Sequence, residues 1–334
     1  YQDITLNGKL ENGIYEAKID SNDENLKFNL VSNGGFQGKY PSLKLRLNLD
    51  IADLRKLNLH AGYLKLKGDV DADFDQLDID NLNGKLSISN TLIALEKEQF
   101  PLDTLNLIAV NTPEKNSIKL ESQFTNVALE GKFKLSQLQD ALMQSISNYY
   151  DLNAKKTAAT EPQQLDFKIQ LKDEPLLMKI IPELKNMSAI LIEGTYNSEN
   201  DTIQVNGIIP KIDYNGNVLT NASLKINKEE NALVYSLIVD DLKNASLQLP
   251  YTNISGKVAE NTVEYVLQLK DIKDVERYLL SGTLKNVDGS SEVAFLNDNL
   301  KLNYETWQID DNNRIKFGPN GIYITDFIIT NNAN

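Results

Sequence analysis

Cysteine is absent from the 334 residues, and histidine occurs once, as His60. Without cysteine the chain has no disulfide framework, thiolate nucleophile, iron–sulfur cluster or cysteine-ligated zinc, and one histidine excludes a multi-histidine metal site. Disulfide-free proteins occur in oxidising and in reducing compartments, so this absence does not fix a location. We expect neither a metal nor a cofactor.

Positive charge is also scarce. The chain has 34 Lys and Arg against 47 Asp and Glu, a net charge of -13, and no basic run offsets this excess. A surface this acidic repels phosphate groups, which disfavours nucleic acid and anionic membrane surfaces as partners.

Long apolar runs are missing as well. The longest are four residues, such as Leu107-Ile108-Ala109-Val110, whereas a membrane span needs about 20. The sequence therefore predicts no transmembrane helix. It also begins without the charged and apolar segments of a signal peptide, so we expect an internal segment of a longer protein. A hydrophobic share of 41% predicts a folded chain.

The dominant pattern is an alternation of apolar and polar residues. Leu43, Leu45, Leu47, Leu49 and Ile51 alternate with polar residues, which predicts a strand with one apolar and one solvated face. This pattern is typical of antiparallel sheets and disfavours the parallel sheets of dinucleotide-binding folds. The same alternation predicts further apolar-face positions at Leu165, Phe167, Ile169, Leu171, Leu233, Tyr235, Leu237, Val263, Tyr265, Leu267 and Leu269.

A second pattern is a short unit of the form apolar-x-Gly-x-apolar. Leu6-Asn7-Gly8-Lys9-Leu10 recurs letter for letter as Leu82-Asn83-Gly84-Lys85-Leu86, and ten of the 17 glycines lie in such units. A glycine inside a strand indicates a bend, a bulge or the close approach of another group. Ordinary hairpins explain the units equally well, because their spacing is not constant as it is in a solenoid.

Helical patterns are few. An amphipathic helix is predicted over residues 135–150, a second short helix over 176–184, interrupted by Pro182, and single helical turns at 52–57 and 274–280. Polar residues 154–164 predict a linker between a first β segment, 1–153, and a second, 165–334. The first helix would plug, line or cap the sheet, or merely pack its apolar face on it; we expect the last.

Catalytic motifs are absent from the sequence. His60 has no partners at triad spacing, and no phosphate-binding glycine loop is present, so we predict no catalytic residue. An aspartate-rich stretch over residues 69–80 fails the calcium-loop pattern, because the required Gly and Glu positions hold other residues from either starting point. We predict a strand there instead, with Val70, Ala72 and Phe74 inward and the acids outward.

The short amphipathic strands and glycine-centred units resemble those of the TamB/AsmA-like family of bacterial envelope proteins, above all the large TamB-like proteins of Bacteroidetes. The stretches that carry the likeness are residues 43–59, 66–88, 129–150 and 302–329. They include Leu66-Lys67-Gly68-Asp69-Val70, Leu129-Glu130-Gly131-Lys132-Phe133 and Trp307-Gln308-Ile309. The likeness covers most of the chain and consists of strand and turn patterns.

This resemblance implies an all-β fold in which an elongated antiparallel sheet curls into a U-shaped apolar groove, with one amphipathic helix and a few helical turns. It implies a non-enzymatic periplasmic conduit that moves phospholipid between the inner and outer membranes, with a role in outer-membrane assembly. The implied partners are phospholipid acyl chains, and an outer-membrane barrel assembly protein contacted through parts of the full-length protein outside this chain. An inner-membrane anchor helix would likewise lie outside it.

Two other functions remain open on the sequence alone. One is a structural or interaction module of the envelope, a scaffold or adhesin-like rod with a closed core and no lipid, because alternation looks the same in a filled sandwich or barrel. The other is an enzyme such as a glycosidase, which would need two carboxylates about 5–10 Å apart in a cleft.

Overall fold

The computed structural model describes residues 3–151, 160–246, 248–287, 289–298, 300–318 and 321–331. Strands make up 66% of the structure and helices 5%, and the strands form antiparallel sheet that is not closed. The all-β antiparallel prediction is therefore confirmed. The chain forms two compact units, one of Tyr1–Ser136 with Phe167–Leu176 and one of Gln137–Asp166 with Leu177–Asn334.

The first unit, here unit 1, is a meander of long strands. Its strands are β1 (Ile4–Glu11), β2 (Ile14–Asp23), β3 (Leu26–Gly35), β4 (Ser42–Asp53), β5 (Leu64–Gln76), β6 (Asn83–Leu95), β7 (Glu98–Leu102), β8 (Leu105–Asn111), β9 (Asn116–Glu121) and β10 (Thr125–Lys132). Each of β1 to β5 pairs with the next strand. β6 pairs with β7 along one half and with β8 along the other, and β9 joins β8 to β10.

The second unit, here unit 2, begins with a helix and continues as a second meander. Its elements in chain order are α1 (Leu138–Ser147), then β11 (Gln164–Leu171) and α2 (Pro175–Ile180), whose residues are divided between the two units, then β12 (Leu184–Met187), β13 (Ile190–Asn197), β14 (Thr202–Tyr214), β15 (Asn217–Glu229), β16 (Ala232–Lys243), β17 (Gln248–Ala259), β18 (Thr262–Lys270), β19 (Glu276–Val287), β20 (Ser290–Phe295), β21 (Lys301–Leu302), β22 (Glu305–Ile309), β23 (Arg314–Gly318), β24 (Gly321–Thr325) and β25 (Ile329–Asn331). Neighbouring strands from β13 to β20 pair in sequence.

The helices differ in part from the sequence prediction. α1 lies within the predicted 135–150 and has Asp140 in its first turn, where a negative charge complements the helix dipole. It belongs to unit 2, whereas the sequence assigned it to the first segment. The predicted helical turn at 274–280 is wrong from Glu276 onward, because that residue begins β19 and pairs with Lys270.

Two other predicted segments, the turn at 52–57 and the linker at 154–164, each overlap a strand at one end. The predicted turn at 52–57 overlaps the end of β4, after which the Leu57 amide donates to Asp53 O at 3.0 Å. Residues 154–159 of the predicted linker lie outside the described residues, and β11 begins at Gln164, the linker's last residue.

Two well-buried groups of residues lie in unit 2. Leu184, Met187 and Ile190 form a buried cluster with Leu177 and Met178 packed against it. Further along the chain, Asn313 is fully buried, and its side-chain amide makes two hydrogen bonds to the backbone of Phe295 in β20. Its Oδ1 accepts from Phe295 N at 2.8 Å and its Nδ2 donates to Phe295 O at 2.8 Å. These hydrogen bonds satisfy the buried amide and fix the position of Asn313 against the end of β20.

Candidate functional site

In unit 1, apolar side chains form continuous rows across neighbouring strands. Leu47 of β4 lies opposite Leu30 of β3 and Val70 of β5. Extended in both directions, the row reads Leu6, Ile19, Leu30, Leu47, Val70, Ile88 and Leu105. Because directly opposed residues point to the same side of a sheet, this row defines one apolar face, here the inner face of unit 1.

Unit 2 has an inner face of the same kind. Leu267 of β18 lies opposite Ile254 of β17 and Leu280 of β19. The row reads Gly207, Leu224, Leu237, Ile254, Leu267 and Leu280. A neighbouring row on the same face carries Tyr235 and Tyr265.

In unit 2 the register brings the predicted apolar positions of β16 and β18 together on either side of β17, whereas in unit 1 those of β4 lie on a single strand. Those of β4 are Leu43, Leu45, Leu47 and Leu49; those of β16 are Leu233, Tyr235 and Leu237; those of β18 are Val263, Tyr265, Leu267 and Leu269. On β11, Leu165 is buried, Phe167 and Ile169 are partly buried, and Leu171 is exposed. Whether these residues line a groove stays a prediction.

The central side chains of both inner faces are only partly buried. This holds for Leu45 and Leu47 in unit 1 and for Leu237 and Leu267 in unit 2. In a filled sandwich or barrel, such residues would be covered by a second apolar layer. The inner faces therefore keep apolar surface in contact with solvent.

A line of β-bulges bends the sheet of unit 1. One extra residue lies between Leu49 and Ala52 of β4 and another between Ser89 and Leu92 of β6, where Asn90 has a φ of +51°; Gly68 of β5 lies between these two bulges. Beyond a bulge, each side chain of the strand lies on the face opposite to the one that simple alternation predicts. Ala52 therefore lies on the inner face, directly opposite Leu66. The prediction that Ile51 continues the apolar face is therefore wrong, since Ile51 pairs with Lys27 instead.

A cavity of about 310 Å³ lies at this bend. Its apolar lining comes from Leu47, Leu49, Leu66, Val70, Ile88, Ile93, Leu102, Leu105 and Phe124. The alternation predicted Leu47, Leu49 and Val70 on an apolar face, and the glycine-centred unit placed Leu66 on the same face as Val70. Ile88, Ile93, Leu102, Leu105 and Phe124 were not predicted; between Ile88 and Ile93 the bulge in β6 interrupts the alternation. This volume is at the lower end of the range for small-molecule sites, about 300–1,000 Å³.

The turn between β9 and β10 supplies Phe124 to this cavity. Buried Ser122 organises the turn: its hydroxyl donates to Thr125 O at 3.0 Å and accepts from Phe124 N at 3.2 Å. Gln123 Oε1 accepts from Asp103 N at 3.0 Å. The turn is thus fixed by its own hydrogen bonds, and polar groups adjoin the apolar lining.

Two glycines on the inner face of unit 2, Gly256 and Gly282, lie under aromatic rings. A Cβ added at Gly282 would lie 2.6 Å from Cζ of Tyr265, which is directly opposite on β18. Phe295 lies opposite Gly282 on the other side, and the two rings meet edge to face at 6.5 Å between centroids. Tyr235 lies over Gly256 in the same way, and burial raises the pKa of both tyrosines. At these two positions the close approach of a ring, together with a backbone oxygen of the neighbouring strand (Glu264 O at Gly256 and Ala294 O at Gly282), explains the glycine-centred unit.

α1 covers one end of the inner face of unit 2. Ser145 and Tyr196 are both buried, and their hydroxyls are 3.1 Å apart. Tyr196 lies opposite Ile203, which is also buried. The helix therefore packs on the sheet, as expected from its amphipathic pattern, and does so at the end of the apolar face.

Tyr149, just beyond α1, shows that the sheet of unit 2 is curved. Its hydroxyl donates to Asp201 O at 2.7 Å, next to β14, and its carbonyl accepts from Asn261 N at 2.9 Å, next to β18. Four strand spacings would separate these turns by about 19 Å in a flat sheet. The span from the hydroxyl to the carbonyl oxygen of one tyrosine, with a hydrogen bond added at each end, is at most about 15 Å. The strands between the two turns must therefore curl toward each other.

The outer face of unit 1 is a ladder of charged and polar pairs. Lys44 pairs with Asp73 at 3.4 Å and Arg46 with Asp71 at 3.2 Å. Hydrogen bonds from Asn90 and Asn48 hold the pKa of Asp69 below its ordinary value. Residues 69–76 of the aspartate-rich stretch thus lie in strand β5, with Ala72 and Phe74 buried, which confirms the strand prediction for these residues; Asp78 and Asp80 lie beyond the end of the strand.

The remaining candidates for catalysis or metal binding are His60 and the acidic side chains. His60 is exposed, and among the described residues its Nδ1 makes hydrogen bonds only with the backbone N and O of Gly62, both at 3.1 Å. The described part of the chain holds no group of three acidic or histidine side chains placed to bind a metal.

Comparisons of the chain with protein-family models, curated proteins and solved structures give no match. The resemblance to TamB/AsmA-like proteins therefore stays a prediction. Within the described residues, no helix is both long enough and apolar enough to cross a bilayer.

Proposed function

We propose that this chain is a lipid-conduit segment in which the inner face of each unit forms an apolar groove for phospholipid acyl chains. One observation carries the proposal: the apolar rows run across seven strands of unit 1 and yet stay only partly buried. Apolar surface left in water costs about 25 cal/mol per Å². An acyl chain laid along the inner face would remove that cost.

The form of the sheets supports a groove. The bulge line bends unit 1 around its cavity, and the span of Tyr149 requires curvature in unit 2. At about 310 Å³ the cavity suits part of one acyl chain rather than a whole phospholipid. Apolar contact is non-directional, so bound tails would slide without a catalytic step.

The cellular setting of this proposal rests on the resemblance to TamB/AsmA-like proteins. We place the segment in the periplasm, where it would pass phospholipid between the inner and outer membranes. A barrel assembly protein of the outer membrane would be a partner of the full-length protein. The negative net charge suits a conduit that contacts tails rather than anionic headgroups.

A second candidate function is a structural or interaction module of the envelope. The observation that favours it is that unit 2 fills parts of its own inner face: α1 covers one end, and Leu177 and Met178 pack with the buried cluster around Met187. If side chains of the protein fill the rest of that face in solution, no lipid would bind there.

Charge substitutions on the two faces separate these functions. Leu47→Glu and Leu267→Glu place a carboxylate on an inner face. Val31→Glu and Val266→Glu are matched controls, because both valines are exposed and lie one register position from those leucines, on the opposite face. Purified chains are incubated with vesicles of fluorescent phosphatidylethanolamine, separated from them, and assayed for lipid per protein by native mass spectrometry and by extraction.

We expect the wild type and both controls to carry lipid at a reproducible ratio. The inner-face variants should carry about tenfold less, since a buried charge costs more than 1.4 kcal/mol, while far-UV circular dichroism stays unchanged. A wild type with no more lipid than an unrelated acidic β protein would favour the structural module. Equal occupancy in all four variants would also refute the groove.

A further inference from the structure

The cavity of unit 1 has a size that fits one alkyl chain. Its walls come from β4 to β8 and from the turn between β9 and β10. An apolar cavity of about 150 Å³ holds one benzene molecule, which has six carbon atoms. At about 310 Å³, the cavity of unit 1 holds about twelve carbon atoms on the same scale. This space matches one unbranched chain and is too small for the two tails of a phospholipid.

Polar groups adjoin the cavity at the turn between β9 and β10. Ser122 and Gln123 of this turn line the cavity together with Asp103. The Oε1 atom of Gln123 accepts from Asp103 N at 3.0 Å, while its Nε2 group donates to no residue that the structure describes. A hydrogen-bond donor is therefore available beside the apolar lining.

Lys172 adds a positive charge behind this turn. Its backbone N donates to Phe124 O at 2.8 Å and its Nζ donates to Ser122 O at 2.7 Å, so both of its nitrogens contact residues that line the cavity. The side chain of Lys172 is partly buried, and no carboxylate of the described residues pairs with it. Buried ammonium groups usually have an anionic partner. Lys172 is thus a cation beside the cavity that lacks one within the described chain.

The charges around the cavity favour a bound carboxylate. Lys67 and Asp103 both line the cavity and are both exposed, so together they contribute no net charge. The positive charge of Lys172 remains. A carboxylate offers two oxygens, one for the Lys172 ammonium and one for the Gln123 amide, and charge-assisted hydrogen bonds are about twice as strong as neutral ones.

We propose that the cavity is a fixed site for one fatty acid of about twelve carbons, with its alkyl chain against the apolar lining and its carboxylate at Lys172 and Gln123. Both residues belong to unit 1, as does the whole lining. The proposal is independent of the phospholipid groove, because one bound fatty acid per chain requires only the cavity, whereas a conduit requires the length of an inner face.

Binding of saturated fatty acids of eight to sixteen carbons to the whole chain tests the proposal. Each radiolabelled acid is measured by equilibrium dialysis at submicellar concentration, and dodecan-1-ol is the uncharged ligand of equal length. Lys172→Gln removes the cation; its matched control is Lys119→Gln, because Lys119 is exposed on the outer face of β9. Val70→Phe narrows the cavity, and Val31→Phe places the same ring on the outer face, where Val31 is exposed.

We expect one dodecanoate per chain, with an affinity that rises about fourfold per added methylene and levels off near twelve carbons. Lys172→Gln should weaken dodecanoate binding about tenfold and leave dodecan-1-ol unchanged. Val70→Phe should weaken both ligands, and the two control variants should weaken neither. Far-UV circular dichroism should stay unchanged throughout; if Val70→Phe alters it, the two lysine variants decide.

No saturable binding of dodecanoate would overturn the proposal, and so would equal effects of the two lysine variants. An affinity that keeps rising about fourfold per carbon up to sixteen carbons would also overturn it, since the chain would then lie along an open groove rather than in a closed site. Failure of the phospholipid experiment leaves these outcomes unchanged, so the two proposals are tested separately.

Discussion

Replacing Gly282 by Ala tests whether inner-face glycines serve as seats for aromatic rings. The new methyl group would approach the Tyr265 ring, with Cζ at 2.6 Å, and would also contact Ala294 O. Ala294 O is backbone and does not move aside easily, so strand and ring must both shift. Overpacking costs about 1–3 kcal/mol, and loss of the edge-to-face contact with Phe295 adds about 0.5–1.5 kcal/mol. We expect the unfolding free energy of unit 2 to fall by about 2–4 kcal/mol.

Gly207→Ala is the matched control for this experiment. It lies on the same inner face, and its added Cβ would meet only Leu224 at 3.5 Å, so we expect a change within about 1 kcal/mol, in the stabilising direction. In urea unfolding followed by tyrosine fluorescence, Gly282→Ala should lower the midpoint of this unit's transition by about 1 M at an unchanged slope. Equal midpoints for the two variants would refute the reasoning.

Three further predictions concern unit 2. Asn313→Ala leaves buried backbone groups without partners and should cost about 3 kcal/mol or more, seen as faster amide exchange in β20; wild-type protection would contradict this. The hydrogen bond from Lys301 holds the pKa of Glu276 below its ordinary 4.5. The stability that this pair contributes is therefore complete above pH 4.5 and is lost as the pH falls through the lowered pKa. In melting experiments at different pH values, Glu276→Gln should reduce the fall in melting temperature between neutral and acidic pH. Tyr196→Phe removes the hydrogen bond to Ser145 and should cost about 1 kcal/mol in urea unfolding, whereas a second substitution, Ser145→Ala, should then add little; fully additive losses would argue against the contact.

The alternation of apolar and polar residues predicted much of the fold. Leu43 to Leu49 and Val263 to Leu269 lie on strands with one apolar face, as expected, because side-chain direction in a strand follows from residue spacing alone. Ile51 is the exception, because it lies on the opposite face of β4. One bulged residue reverses the phase, and nothing in the run from Leu43 to Ile51 marks the bulge before the partner strands are known.

The cavity and the glycine seats depended on contacts between distant strands. Leu66 and Phe124 are 58 positions apart in the sequence and line one cavity because β6 divides its pairing between β7 and β8. The glycine-centred units were visible in the sequence, but a bend, a bulge and a hairpin explained them equally well. Only the register shows that Tyr265 and Phe295 meet above Gly282.

The sequence by itself determined the antiparallel all-β class, the apolar face of strands such as β4 and β18, the charged outer face of unit 1 and the amphipathic helix. All of these follow from spacings of two to four residues, which local geometry converts directly into faces. The tertiary structure decided the bulge line, the cavity and the position of α1 at one end of unit 2. These features depend on which strands pair and in which register, and alternation of period two is compatible with many pairings.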